Sequence, residues 1–439
     1  METICKTEQT KYVIGLDYGT LSARAVLVCV HSGEVIAESI YPYPHGILTT
    51  LSVSSGTAGE SGGAGPGCGL EKLPADYALQ EIDDYVEAMY HTIREVVEKA
   101  GCRPDDVIGI GIDATSSTFL PLMQDGRPLG KTEQFAANPH AQLKLWKHHG
   151  AQAEADRITA LAKERGEKFL MRCGGKVNAE WMLPKLMEIA GKAPEVYAAT
   201  DNFMEVSDYL VYLLTGEVTR CMCHAGYKLL WNEEDGYPAK EFLGMLHPLL
   251  FSLEEKLKGR EVQVGECAGR LTDEAACRLG LKAGTAVAAS LIDAHVAVPS
   301  AGIDGPDQAL MILGTSCCML LCSEKLSYIK GISGCVRNAV LPGLYAYEAG
   351  QSAVGDLFEW FVNNCVPGSY EREAAGREIS LHTLLSEKAS RLMPGESGLV
   401  ALDWWNGNRS CLADANLSGM ILGLKLRTKP EEIYRALLE

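Results

Sequence analysis

Residues 11–24 read KYVIGLDYGTLSAR. Lys11 to Tyr18 carry the β-branched and aromatic residues of a strand, Gly19-Thr20 is a turn signal, and LSARAVLVCV (21–30) returns as a second strand. Gly19 lets the backbone turn tightly and approach another group closely. Beyond it the N–H groups of Thr20, Leu21 and Ser22 can face one way, a nest suited to phosphate oxygens, and the Thr20 and Ser22 hydroxyls add donors. Arg24 supplies a fixed positive charge for a phosphate or a carboxylate. Asp17 ends the first strand and can support Mg²⁺ through water, because that ion prefers oxygen ligands and keeps several waters. The same residues also read as a plain hairpin with an Asp–Arg salt bridge. The chain has no GxxxxGK[ST] pattern, which argues against a P-loop fold.

Outward from this stretch, VIAESIYPY (35–43) is a third strand, so the N-terminus predicts an antiparallel meander. The alternation along the second strand predicts cover on both of its faces. Residues 46–75, with the Gly- and Ser-rich run TAGESGGAGPGCG, predict loop. Ile82, Tyr85, Val86, Met89, Ile93, Val96 and Val97 recur at helical spacing, predicting a helix from Ile82 to Lys99. VIGIGIDAT (107–115) is a buried strand ending in a polar loop, and helical stretches fill 140–260. Near Gly284 the pattern starts again. AVAASLID (286–293) is a strand, and ALMILGTSCCMLLC (309–322) is strand–turn–strand, so Gly314-Thr315-Ser316 echoes Gly19-Thr20. The expected fold is α/β, with related domains at about 1–283 and 284–439 facing each other across a cleft. Asp293 ends a buried strand, where active sites often form, and can accept a proton from an attacking hydroxyl. It also reads as a helix N-cap. His295 reads as packing or support.

A length of 439 residues fits two or three domains. The formal charge of −17 is a poor match to nucleic acid or an anionic membrane, though not to a nucleotide whose phosphates backbone N–H groups and Mg²⁺ can neutralise locally. Fifteen cysteines are scattered without a paired CxxC framework, and Cys221-Met222-Cys223 has no second ligand pair at zinc spacing. They read as buried thiols in a reducing compartment. The polar start METICKTEQTKY is unlike a signal peptide, and no apolar run reaches the roughly 18 residues of a membrane span. A cytoplasmic protein is expected.

These motifs in this order resemble the FGGY carbohydrate kinases. GLDYGTLSAR (15–24) is similar to their first phosphate loop, SLIDAHVAVPSAG (290–302) to the segment with their catalytic aspartate, and LGTSCCMLL (313–321) to their second phosphate loop. GMILGLKLRTKPEEIYRALLE (419–439) fits their C-terminal signature. Within the family the resemblance is to the branch that phosphorylates L-ribulose in L-arabinose catabolism. It rests on ADYALQ (75–80), GIDATSSTFLPL (111–122), ANPHAQLKLWKHH (137–149), GGKVNAEWMLPK (174–185), HAGYKLLWN (224–232) and residues 332–362.

The resemblance implies two actin-like (ribonuclease H-like) domains, with ATP and Mg²⁺ as cofactors. It implies Asp293 as general base and Asp17 as support for Mg²⁺. Thr20, Leu21, Ser22 and Arg24 would lie at the ATP phosphates, Gly314 and Thr315 would form the opposing turn, and Gly355 and Glu359 would meet the nucleotide. Ala114, Thr115, Ser116, Lys228 and Glu348 would face the sugar. Thr115 and Ser116 stand where glycerol kinases carry an Arg-Glu pair, a departure from that branch. Read from the residues alone, Lys228 is a solvated lysine and Glu348 a buried ion pair. Trp181 is the tryptophan that could line the sugar side. Relatives continue beyond the signature that ends here at Glu439, so an incomplete second domain with exposed apolar surface is expected. Other readings are a kinase for another pentulose or polyol and a catalytically silent sugar-binding fragment. A homodimer is left open.

Overall fold

The computed structural model describes residues 10–54, 68–412, 414 and 417–439. The N-terminal meander forms: Tyr12–Tyr18, Ser22–Cys29 and Val35–Pro42 are antiparallel neighbours, with Asp17 opposite Arg24. The second strand buries one face only. Ala23, Ala25, Leu27 and Cys29 are buried, whereas Arg24 is exposed and Val26 and Val28 are half-buried. The helix Ile82–Ala100 packs against this strand and its neighbour, and its side chains share one core with the buried face.

That helix buries Ile82, Tyr85, Met89, Ile93 and Val96, while Val86 and Val97 are half-buried at the edge of the stripe. Asp83 and Asp84 in the first turn and Lys99 in the last complement its dipole. Gly101 ends it at φ 60°, donating its N–H to the Val97 and Glu98 carbonyls. This left-handed cap strains any residue with a Cβ.

On the other side of Tyr12–Tyr18 lies Val107–Ala114, parallel to it. Ala286–Ala288 and Leu291–Ile292 in turn pair parallel with Val107–Ala114, and Cys267–Arg270 completes a seven-stranded sheet. The run 286–292, read as the opening of the second domain, therefore lies in the first sheet. A separate antiparallel sheet is ordered Ala309–Leu313, Cys317–Ser323, Tyr345–Gln351, Gly334–Arg337. The change of sheet falls between Ile292 and Ala309. An apolar run shows that a strand is buried, not which sheet it joins.

Leu291, Ile292, Cys223 and Tyr227 share an apolar cluster with Leu320, Val336 and Ala346, which ties the two sheets together. A third sheet, of four strands, carries Lys144 and Glu205. Thr50–Ser54 and Cys68–Lys72 pair as antiparallel strands at the edges of the stretch expected as loop. Residues 1–9 and most of the glycine-rich run lie outside the described residues. Met311, Leu313, Leu422, Leu424 and Leu426 are exposed, so apolar surface is present on the second domain. Among the described residues no helix is long and apolar enough to cross a membrane.

Candidate active site

Three adjacent parallel strands end at the same level. Asp17 pairs with Asp113 and Tyr18 with Ala114, while Leu291 pairs with Asp113 and Ile292 with Ala114. The chain therefore leaves the sheet at Gly19, Thr115 and Asp293 side by side. The C-terminal edge of parallel strands is where open α/β sheets bind ligands.

Asp293 begins the helix Asp293–Ser300, and its Oδ1 accepts the Ala294 N–H at 2.6 Å. Burial raises its pKa, the Ala294 hydrogen bond opposes that, and Asp17 raises it further. Asp113, inside the expected strand 107–115 and not singled out from sequence, is a third carboxylate in this group. Burial, then Asp17, then Asp293 push it up to about 9. Its Oδ1 is buried without a hydrogen-bond partner.

In the first turn Arg24 Nη1 lies 3.1 Å from Asp17 Oδ2, and both side chains are substantially exposed. Of its two anticipated partners, the structure gives Arg24 the carboxylate. Leu21 is exposed, and Gly19 N–H donates to the Ser22 carbonyl at 3.0 Å. Thr20 is clamped from outside the motif. Trp146 Nε1 donates to its hydroxyl at 3.1 Å, and Gln80 Nε2 donates to its carbonyl at 2.7 Å.

The neighbouring loop is equally fixed. Ala114 and Thr115 are buried, Thr115 shares a 2.7 Å hydrogen bond with Thr118, Ser116 is partly exposed, and Ser117 is held at φ 54°. The buried Lys185 ammonium donates to the carbonyls of Ser117, Leu145 and Trp146 at 3.1, 2.9 and 2.9 Å. Its pKa falls to about 7, with burial as the main cause. Gln80, Trp146 and Lys185 lie inside ADYALQ, ANPHAQLKLWKHH and GGKVNAEWMLPK. Sequence reasoning matched those segments without assigning them chemistry.

Lys228 and Glu348 are brought together. Lys228 is buried, not solvated, with Nζ 3.6 Å from Glu348 Oε2 and 6.0 Å from the centre of the Trp181 ring. Burial opposes ionisation of Glu348, but Lys228 and then His295 hold it well below the usual carboxylate range. Its buried Oε2 nevertheless has no aligned hydrogen bond.

The remaining candidates gather elsewhere. Gly314 N–H donates to the Ser316 carbonyl at 2.9 Å, and the N–H groups of Val354 and Gly355 donate to the carbonyls of Thr315 and Gly314, each at 2.9 Å. A Cβ on Gly355 would stand 2.7 Å from the Gly314 carbonyl oxygen. Thr315, Gly355 and Glu359 line a cavity of about 500 Å³ with Asp356, Val362, Asn363 and His382. Neither Thr20 nor Asp293 lines it. This cavity therefore holds the second turn without the first.

The chain is similar to known proteins over nearly its whole length. The family model for the N-terminal domain of FGGY carbohydrate kinases matches residues 70–299, and that for the C-terminal domain matches 309–439. The chain is 47% identical over 431 residues to a ribulokinase of Geobacillus thermodenitrificans, covering 98% of this chain and 74% of that protein. It is 48% identical over 421 residues to a ribulokinase of Bacillus licheniformis, covering 95% and 74%. Among solved structures, xylulose kinase from Rhodospirillum rubrum superposes with a TM-score of 0.74 at 23% identity, covering 98% of this chain and 76% of that one. Plasmodium falciparum glycerol kinase with ADP gives 0.70 at 13%, with the same coverage. The structural likenesses establish the two-domain actin-like fold, and the family matches establish the chemistry as phosphotransfer from ATP to a carbohydrate: the chain belongs to the FGGY family of carbohydrate kinases.

Proposed function

We propose that this kinase phosphorylates L-ribulose to L-ribulose 5-phosphate, a step of L-arabinose catabolism. The observation that carries the reading is the common ending of three parallel strands, which sets Asp293 beside both the first phosphate turn and the Thr115 loop. The ribulokinase relatives at 47% and 48% identity favour ribulose as acceptor.

Phosphoryl transfer needs in-line placement and neutralised charge more than covalent help from protein. The sugar lies between the Thr115 loop and the Lys228–Glu348 pair, where Glu348 Oε2, ion-paired with Lys228 but without an aligned hydrogen bond, accepts a hydroxyl hydrogen. Asp293 takes the proton of the terminal hydroxyl as that oxygen attacks the γ-phosphorus, whose bond to the β–γ bridging oxygen breaks so that ADP leaves. The Thr20 turn holds phosphate oxygens on one side. The Gly314–Thr315 turn, backed by Gly355, holds them on the other after the two domains approach.

Among the described residues no three His, Cys, Asp or Glu side chains form a ready-made metal cage. That fits Mg²⁺, which binds through one or two carboxylates plus phosphate and water. Asp17 would hold it, with the orphaned Asp113 Oδ1 behind. Bound there, Mg²⁺ supplies charge neutralisation to the phosphates. The thirteen cysteines whose side chains are described are free thiols, which favours a reducing, cytoplasmic setting.

A coupled ADP-release assay comparing L-ribulose, D-xylulose, ribitol and glycerol tests the reading. The highest kcat/KM is expected with L-ribulose. A clear preference for another acceptor would reassign the substrate, and no sugar-dependent ADP release would remove kinase activity from this chain. In the same assay Gly355→Ala is expected to raise the ATP KM about tenfold and leave the sugar KM alone, because the new methyl must displace backbone at the second turn. Unchanged ATP KM would separate Gly355 from the nucleotide.

A further inference from the structure

Glu348 is one end of a buried chain that the reaction outlined above does not use. Cys223 Sγ lies 2.9 Å from His295 Nδ1, and His295 Nε2 lies 3.3 Å from Glu348 Oε2. All three residues are buried. They come from separate elements: the helix Met222–Leu229, the helix Asp293–Ser300 and the strand Tyr345–Gln351 of the second sheet. Lys228 leaves the same helix as Cys223 and meets the same carboxylate oxygen.

The chain has a direction. Burial pushes the Cys223 thiol well above its ordinary pKa, so it keeps its proton. The S–H then donates to Nδ1, which puts the one N–H proton of the neutral ring on Nε2, facing Glu348. The imidazole is buried and packed against a neighbouring ring. The Tyr227 ring lies 4.6 Å from it, and the Tyr227 hydroxyl donates to the Ala346 carbonyl on the Glu348 strand at 2.5 Å. Gly334, paired with Glu348, leaves room for that ring, since a Cβ there would stand 2.5 Å from Tyr227.

We infer that His295 is a positioning residue for sugar binding: with its ring proton turned toward Glu348 by Cys223, it orients that carboxylate, leaving a lone pair for a sugar hydroxyl. The inference rests on the reading of Glu348 as a sugar contact. It accounts for the open acceptor at Oε2, which two cations or donors approach without aligning on it. It also makes the contact depend on both sheets, because His295 follows the first and Glu348 belongs to the second.

The test uses the full chain, with steady-state kinetics and calorimetric titration of L-ribulose. His295→Leu is expected to raise the sugar KM and Kd about tenfold, as loss of a ring N–H facing a buried carboxylate does, with the ATP KM within about twofold. His295→Gln keeps an N–H donor and is expected to recover to within about threefold of the parent. Glu348→Gln should weaken sugar binding at least as much as His295→Leu, and the double variant should be no worse than Glu348→Gln alone.

A His295→Leu variant with unchanged sugar KM, or with sugar and ATP KM raised equally, overturns the inference. If Glu348→Gln weakens the sugar and His295→Leu does not, only the role of His295 fails. If Glu348→Gln binds sugar normally, the assignment of Glu348 fails first and this inference with it. Should the leucine variant not fold, ¹⁵N shifts of the parent imidazole decide. The proton is expected on Nε2, and a proton on Nδ1 alone overturns the scheme.

Discussion

Asp293→Asn is expected to lower kcat by roughly 10²- to 10⁴-fold, the usual worth of a positioned general base, while L-ribulose still binds. The substitution preserves shape. An amide oxygen can keep the 2.6 Å hydrogen bond from Ala294, and the start of the helix Asp293–Ser300 is otherwise untouched. What disappears is the ability to take a proton. The parent should show a matching pH signature. The base works only when ionised, and burial raises its pKa, opposed by the Ala294 hydrogen bond and reinforced by Asp17. Activity is therefore present at high pH and is lost as pH falls through a value above the ordinary aspartate pKa of about 3.9. Single-turnover rates and sugar titrations on the parent and Asp293→Asn check this. Near-parent turnover in the asparagine variant would remove Asp293 as base.

The two Gly-Thr turns, the helix 82–100 and the carboxylate at 293 are legible in the sequence because each rests on local signals. Period-2 or helical spacing sits beside a turn residue, and an acid follows an apolar run. What the sequence hides is pairing. That Asp113 stands next to Asp17 follows from Val107–Ala114 lying parallel to Tyr12–Tyr18, and parallel register has no local signature. The same blindness placed 286–292 with the wrong sheet. Lys228 is the converse case. Its position in the helix Met222–Leu229 does not show that Glu348, from the other sheet, will close over it, so a solvated lysine and a buried ion pair read alike until the fold brings them together. The supports of the first turn are harder still. Trp146, Gln80 and Lys185 act through indole, amide and ammonium groups on backbone atoms, and backbone acceptors leave no mark on the sequence.

Glu188→Ala is expected to destabilise the first domain by about 3–5 kcal/mol, the cost of stranding a buried charge. Glu188 is fully buried in the helix Met182–Lys192, with His148 Nε2 at 2.8 Å, Lys192 Nζ at 3.0 Å and the equally buried Lys144 Nζ at 3.3 Å. Burial opposes its ionisation, yet the His148 hydrogen bond and then Lys144 hold it well below the usual range. His148 is pushed down to about 4, by burial first and Lys144 second, so near neutral pH it is an uncharged donor, and the balancing charge falls to Lys144, whose own pKa burial lowers, and to Lys192, whose pKa is raised beside Glu188. With His148 near 4 folded and about 6.5 unfolded, its stabilising share is whole above 6.5 and is lost as pH falls toward 4. Removing Glu188 leaves Lys144 without a counter-ion and His148 without an acceptor. Removing both charges as Lys144→Met/Glu188→Leu should cost clearly less than Glu188→Ala, because no buried ammonium is stranded, although His148 still loses its acceptor. Denaturant midpoints followed by tryptophan fluorescence separate these cases, and equal losses in the single and double variants would show that shape matters here and charge does not. The consequence reaches the site. The same helix carries Lys185, whose ammonium fixes the carbonyls of Ser117 and Trp146. Glu188→Ala should therefore weaken sugar binding at temperatures where the domain is still folded, while the apolar double variant, with the helix still seated, should not.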